Sequence, residues 1–151
     1  METLLKNKKY LRILPFLLFV LFSIELKAQN HWKELANVSF KTKLDKSGNY
    51  PIQYPIFGEK VKGIDGKEIT LKGFIVPLND LKGDSFFVLS MLPFDICYFC
   101  GGAGPETVVE VHTKKPYRFT EKAIQVKGTL KINGADPAQL MYVLENAEIT
   151  E

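Results

Sequence analysis

The stretch Ile124-Gln125-Val126-Lys127-Gly128-Thr129-Leu130-Lys131-Ile132 decides the fold. Ile124, Val126, Leu130 and Ile132 alternate with Gln125, Lys127, Thr129 and Lys131, and this period of two belongs to a strand with one face buried and one wet. Working outward, Glu68 to Val76 repeats the pattern, with Ile69, Leu71 and Ile75 on one side and Gly73 at its centre. A residue with no side chain there lets a strand coil sharply, and Gly128 occupies the matching position of its own strand. Phe86 to Leu92 (FFVLSML) is almost continuously apolar, and Thr107 to His112 sets Val109 and Val111 opposite Val108, Glu110 and His112. Both read as strands. Asp65-Gly66 is a hairpin signal and Asn133-Gly134 a turn. Asp136-Pro137-Ala138-Gln139-Leu140 resembles a helix start, with an N-cap and a proline at the first position, while Tyr142 to Ile149 suits a strand, so a short helical turn and a closing strand are expected. The sum is a mainly β chain of five principal strands. A small OB-like five-stranded barrel is the natural way to bury them while leaving few open edges.

The N-terminus has another character. Lys6, Lys8, Lys9 and Arg12 precede the apolar run Ile13 to Ile24 (ILPFLLFVLFSI), which Glu25 and Lys27 interrupt. A membrane-spanning helix needs about 20 apolar residues, and this run is shorter, so it reads as a secretory signal peptide cleaved after Ala28. An uncleaved leader would be the membrane link. No cysteine lies near the cut, which argues against a lipoprotein anchor. Cleavage takes Lys6, Lys8, Lys9, Arg12 and Lys27 from the 20 basic residues and Glu2 and Glu25 from the 17 acidic ones, leaving 15 of each. The basic pI of 8.8 therefore reports the leader, and the mature chain has no overall excess that would suggest nucleic acid or an anionic membrane. The expected organisation is residues 1–28 signal peptide, 29–56 an irregular lead-in and 57–151 the barrel.

Within the lead-in, a helical turn around Trp32, Glu34 and Leu35 and an extended piece from Val38 to Lys43 should pack Trp32 and Phe40 on the barrel. Asp45-Lys46-Ser47-Gly48-Asn49 is a turn. Its acidic spacing is not a calcium loop, because the glycine is misplaced and no glutamate follows at the twelfth position. Asn37-Val38-Ser39 is a glycosylation sequon that would matter only in a eukaryotic secretory pathway.

Val61, Asp65-Gly66-Lys67, Gly73-Phe74-Ile75-Val76-Pro77-Leu78, the Cys97 region, Pro105 with Val109 and Val111, and Val126-Lys127-Gly128-Thr129-Leu130 together resemble an exported bacterial family of unknown function with an OB-like small barrel. Trp32 and Leu35 match the family's opening. The resemblance implies a periplasmic or secreted protein of the Gram-negative envelope, in a family some of whose members are associated with metal uptake. It implies no activity. The family's second cysteine-loop position, Cys or His, is Cys100 here, and an unusually glycine-rich Gly101-Gly102-Ala103-Gly104 follows.

Cys97-Tyr98-Phe99-Cys100 holds both cysteines of the chain. Three chemistries compete for it. A Cys97–Cys100 disulfide would suit an oxidising compartment, though closing so short a ring stabilises at the low end of the usual ~2–4 kcal/mol. A metal site is the second, since the spacing is half a zinc knuckle, with thiolates about 2.3 Å from the ion. Four ligands are needed. His112 is the chosen third, with His31, Asp95, Glu106 and Glu110 as further donors, or a second copy completes a four-cysteine site across a homodimer. The third is thiol-disulfide exchange, which usually requires a cysteine at a helix N-terminus to lower its pKa, whereas Gly101-Gly102-Ala103-Gly104-Pro105 cannot start a helix promptly.

Other classes find less support. The glycines lack the Gly-Lys-Ser/Thr and following helix of a phosphate loop, and Tyr98 and Phe99 are expected to cover the barrel end. Lys114-Lys115, Tyr117 and Arg118 form a small basic and aromatic cluster of the sort OB-like barrels use for oligonucleotides, but the leader and the neutral mature charge favour a solvated loop. No Ser-His-Asp arrangement or metalloprotease motif is visible. The expectation is an exported, non-enzymatic binding or accessory protein. Its ligand would be zinc or another soft metal held by Cys97, Cys100 and His112, and its partner an envelope protein or a second copy.

Overall fold

A computed structural model describes residues 30–44, 48, 50–76, 86–136 and 138–150. The expected leader, Pro77-Leu78 and most of the turn at 45–49 lie outside the described residues. Among the described residues, seven strands form a two-stranded ribbon and a closed barrel. β1 (Val38–Leu44) and β2 (Pro51–Phe57) make an antiparallel two-stranded ribbon, while β3 (Glu68–Val76), β4 (Phe86–Ser90), β5 (Val108–Thr113), β6 (Ile124–Ile132) and β7 (Tyr142–Thr150) close a barrel in the order β3-β4-β5-β7-β6. The β5–β7 pair is parallel and the rest are antiparallel. This is the expected mainly β chain with a closed five-stranded barrel.

The alternating residues behave as their period demands. Ile69, Leu71, Ile75, Val126 and Leu130 point inward with Phe87, Leu89, Val109, Val111, Tyr142 and Leu144. β4 carries apolar residues on both faces because a second cluster, Val76, Val88 and Val108, packs outside the barrel under Leu140.

Gly73 marks the corner. β3 pairs with β6 from Glu68 to Gly73 and with β4 from Phe74 to Val76, so the strand changes partner at this glycine. The carbonyl oxygen of Ser90 comes so close that a Cβ would overlap it. Gly128 sits where the β6–β7 register slips between Lys127 and Thr129, with Ala147 against it.

Helix α1 (Trp32–Leu35) is a single turn that covers the stretch of β3 which β4 does not reach. The His31 N–H donates to Thr70 O at 3.1 Å, Trp32 Nε1 donates to Lys72 O at 2.8 Å, and the Lys72 N–H reaches Asn30 Oδ1 at 3.4 Å. An otherwise open sheet edge is thereby satisfied.

The structure departs from expectation in four places. The lead-in is more regular than its sequence suggests, because Pro51–Phe57 supplies a partner for the extended piece. Trp32 is buried as expected, but Phe40 is exposed on the ribbon. Asp65-Gly66 joins helix α2 (Glu59–Lys62) to β3 rather than two paired strands. Gly66 takes a left-handed φ of 72° and its N–H binds Leu130 O at 2.8 Å. Finally, the described residues of 136–140 form a turn and no helix, since the Asp136 side chain takes the Ala138 N–H at 2.9 Å and Asn133 gathers the carbonyls of Asp136, Gln139 and Leu140. Local side-chain bonds of this kind compete with helix formation.

Candidate functional site

The two cysteines lie in the connection from β4 to β5. Its base is the Ser90–Val108 pair, extended by the Met91 N–H on Thr107 O at 2.9 Å and by the Leu92 N–H on Ser90 Oγ at 3.1 Å. From Pro93 the chain winds through two tight turns, Phe94–Ile96 and Tyr98–Cys100. The Cys97 carbonyl accepts from Cys100 N–H and from Gly102 N–H, both at 3.1 Å, and Tyr98 O accepts from Gly101 N–H at 3.0 Å. The glycines follow from this winding. Gly101 has φ +77°, a region that a Cβ makes costly, and Gly102 lies so near the Ile96 backbone that a Cβ would overlap it. A third turn, Pro105–Thr107, is pinned by Thr107 Oγ1 on Gly104 O at 2.7 Å and delivers the chain to β5.

This winding brings Cys97 and Cys100 together as free thiols, the first buried and the second exposed. The Cys100 pKa is raised, first by desolvation, then by the charge and hydrogen bond of Cys97, then by the charge of Asp95. Asp95, a secondary donor in the sequence reading, is thus close enough to act electrostatically on the pair.

The other expected ligands go elsewhere. His112 pairs with Phe86, four pairs along the β4–β5 ladder from Ser90–Val108, which puts it about 13 Å from the base of the loop at a strand's rise per residue. Its Nε2 is 2.7 Å from Glu110 Oε1, so the shared face read from the sequence is present, and Glu110 Oε2 accepts the Leu140 N–H at 3.1 Å. His31 is engaged by the Thr70 backbone. The Glu106 carboxylate lies over Gly104. Among the described residues, no group of three or more His, Cys, Asp or Glu side chains could hold a metal ion. Only the cysteine pair survives as a cluster from the set Cys97, Cys100 and His112.

Tyr98 and Phe99 do not close the barrel end. They stack edge-on to each other at 5.4 Å and stand exposed with Met91, Phe94 and Ile96. Five large apolar side chains of this connection are therefore exposed in the same segment as Cys100. The sequence signal for them is Met91, Phe94, Ile96, Tyr98 and Phe99 clustering around Pro93, beyond the reach of the strand pattern.

Among the described residues, no helix is long and apolar enough to cross a membrane. No family model matches the chain, and no curated protein matches it. Among solved structures, it is similar to a DUF3299 family protein of Pseudomonas aeruginosa PAO1, with a TM-score of 0.44 and 24% identity over 60% of this chain and 65% of that one. The match thus spans less than two thirds of that protein's length.

Proposed function

We propose that the chain is an exported, non-enzymatic accessory protein of the bacterial envelope that holds zinc or a related soft metal ion through Cys97 and Cys100. The observation that carries this reading is the tight Cys97-x-x-Cys100 turn, whose left-handed Gly101 and close-packed Gly102 set two free thiols side by side. Soft cations prefer thiolates, and binding would release the two protons.

One chain offers two sulfurs, whereas a structural zinc site takes four ligands. A second copy is the partner that best completes the set. A two-fold axis through the loop would set the exposed Cys100 against its own copy, with the buried Cys97 behind it, and the exposed Met91, Phe94, Ile96, Tyr98 and Phe99 would be covered in the same contact. Against thiol-disulfide exchange stands the want of an α-helix N-terminus at the pair, since the turn that follows Cys97, Tyr98–Cys100, is a single 3-10 turn that ends at the left-handed Gly101.

Metal content of the protein purified without chelator, with free thiols counted on the wild type and on Cys97→Ser, tests the reading. One zinc per two chains, lost in the variant, is the expected result. No metal and two oxidised sulfurs would overturn it in favour of a disulfide.

A further inference from the structure

A second site lies apart from the cysteine loop. The segment joining β5 to β6, the middle of β3, the start of β6 and the end of β7 together line an open cleft of about 1040 Å³. Five cations line it: Lys72, Lys114, Lys115, Arg118 and Lys122. Glu148 is the one acid in the lining, and Lys114 pairs with it at 2.9 Å. No carboxylate among the described residues forms an ion pair with Lys72, Lys115, Arg118 or Lys122.

The distribution is uneven in a telling way. Residues 29–151 carry equal numbers of acidic and basic residues, yet four net positive charges gather around this opening. Arg118 is the sole arginine of residues 29–151, and its planar fork matches a carboxylate or phosphate in a way that lysine does not. The field already acts on Glu148, whose pKa is lowered by its hydrogen bond to and charge from Lys114 and further by Lys127 and Lys115.

The cleft also has an apolar side. Pro116, Ala123, Ile124 and Ile149 contribute to the lining, and Phe119 stands 47% exposed at it. Tyr117 anchors the β5–β6 connection by packing against Phe87 in the core with ring centroids 4.4 Å apart, so the cations on either side of it are presented by a tethered segment.

We propose that this cleft binds a small organic anion, one that joins a phosphate or carboxylate group to a flat apolar body. The charged group is met by Arg118 and its neighbouring lysines, and the apolar body lies along Phe119 and Ile149. Each charge-assisted hydrogen bond lost from such a site weakens binding by about tenfold.

The test is an amide-resolved NMR titration of the purified chain with 1-naphthyl phosphate and, separately, inorganic phosphate. Saturable shifts confined to residues 113–125 and 147–150 are expected, with the naphthyl compound binding more tightly than phosphate. R118Q should weaken it by about tenfold, while K60Q, a lysine remote from the cleft, should leave it unchanged. Raising the salt from about 0.05 to about 0.5 M should weaken it several-fold through screening. Shifts spread over all exposed lysines, or binding that survives R118Q, would overturn the assignment. So would displacement of the naphthyl compound by a ten-residue oligothymidylate that binds more tightly, since that would make the cleft a nucleic-acid groove.

Discussion

The hydroxyl of Tyr142 on β7 donates a 2.6 Å hydrogen bond to the carbonyl of Leu35, 107 residues earlier in the chain. Both residues are fully buried. One bond thus fastens the N-terminal turn, which covers the open part of β3, to the closing strand of the barrel. Tyr142→Phe keeps the ring and leaves a buried carbonyl without this donor, a loss of about 1–3 kcal/mol. Urea unfolding of the two proteins should show the variant's midpoint lowered at an unchanged m-value.

The same residue gives a pH dependence. Burial and the nearby Glu106 hold the Tyr142 pKa well above its ordinary 10.0. The folded state therefore favours the neutral phenol, and that contribution is complete below pH 10 and lost as the pH rises from there toward the folded pKa. Wild-type stability should fall more steeply above pH 10 than that of Tyr142→Phe. Parallel curves for the two proteins would count against the link.

Gly73 is where β3 passes from β6 to β4, and the Ser90 carbonyl occupies the space a methyl would need. Gly73→Ala must push the β3 and β4 backbones apart, at a cost of about 1–3 kcal/mol. Gly66→Ala strains a left-handed turn but meets nothing within 4 Å. Hydrogen exchange should separate the two, with protection lost at Phe74 to Val76 and Val88 to Ser90 in the first variant alone.

Glu110 is a buried carboxylate with two duties, accepting from the Leu140 backbone and contacting His112. It ties the β6–β7 connection over the outer cluster of Val76, Val88 and Val108. Glu110→Ala should lower stability by about 1–3 kcal/mol. Metal content should stay at the wild-type value, because His112 lies away from the cysteine loop. Zinc lost from this variant or from His112→Ala would restore histidine to the ligand set.

Phe99 is 45% exposed beside Cys100. Phe99→Asp should leave the unfolding free energy of the metal-free chain within about 0.5 kcal/mol of wild type, as exposed substitutions usually do. In sedimentation with zinc added, the wild type should form a dimer and the variant should stay monomeric. A zinc-loaded wild-type monomer would remove the second copy from the proposal.

The barrel strands were legible because burial on one face imposes a period of two, and Glu68–Val76 and Ile124–Ile132 carry it over their full length. The Cys97-x-x-Cys100 spacing was equally plain, since four consecutive residues can meet in a single turn. Gly73 was readable as a bend, although only the fold identifies Ser90 as the neighbour that requires it.

Placement across long separations needed the tertiary structure. His112 shares its strand face with Glu110, as the sequence said, but the β4–β5 register carries it away from the loop, and register depends on which strands meet. The basic cleft is the other case. Lys72 and Arg118 are far apart in sequence and neither has a local signature, while equal totals of acid and base hide their proximity. Charge totals add over the whole chain, but the field at one opening depends on distance, and the closing of the barrel sets those distances.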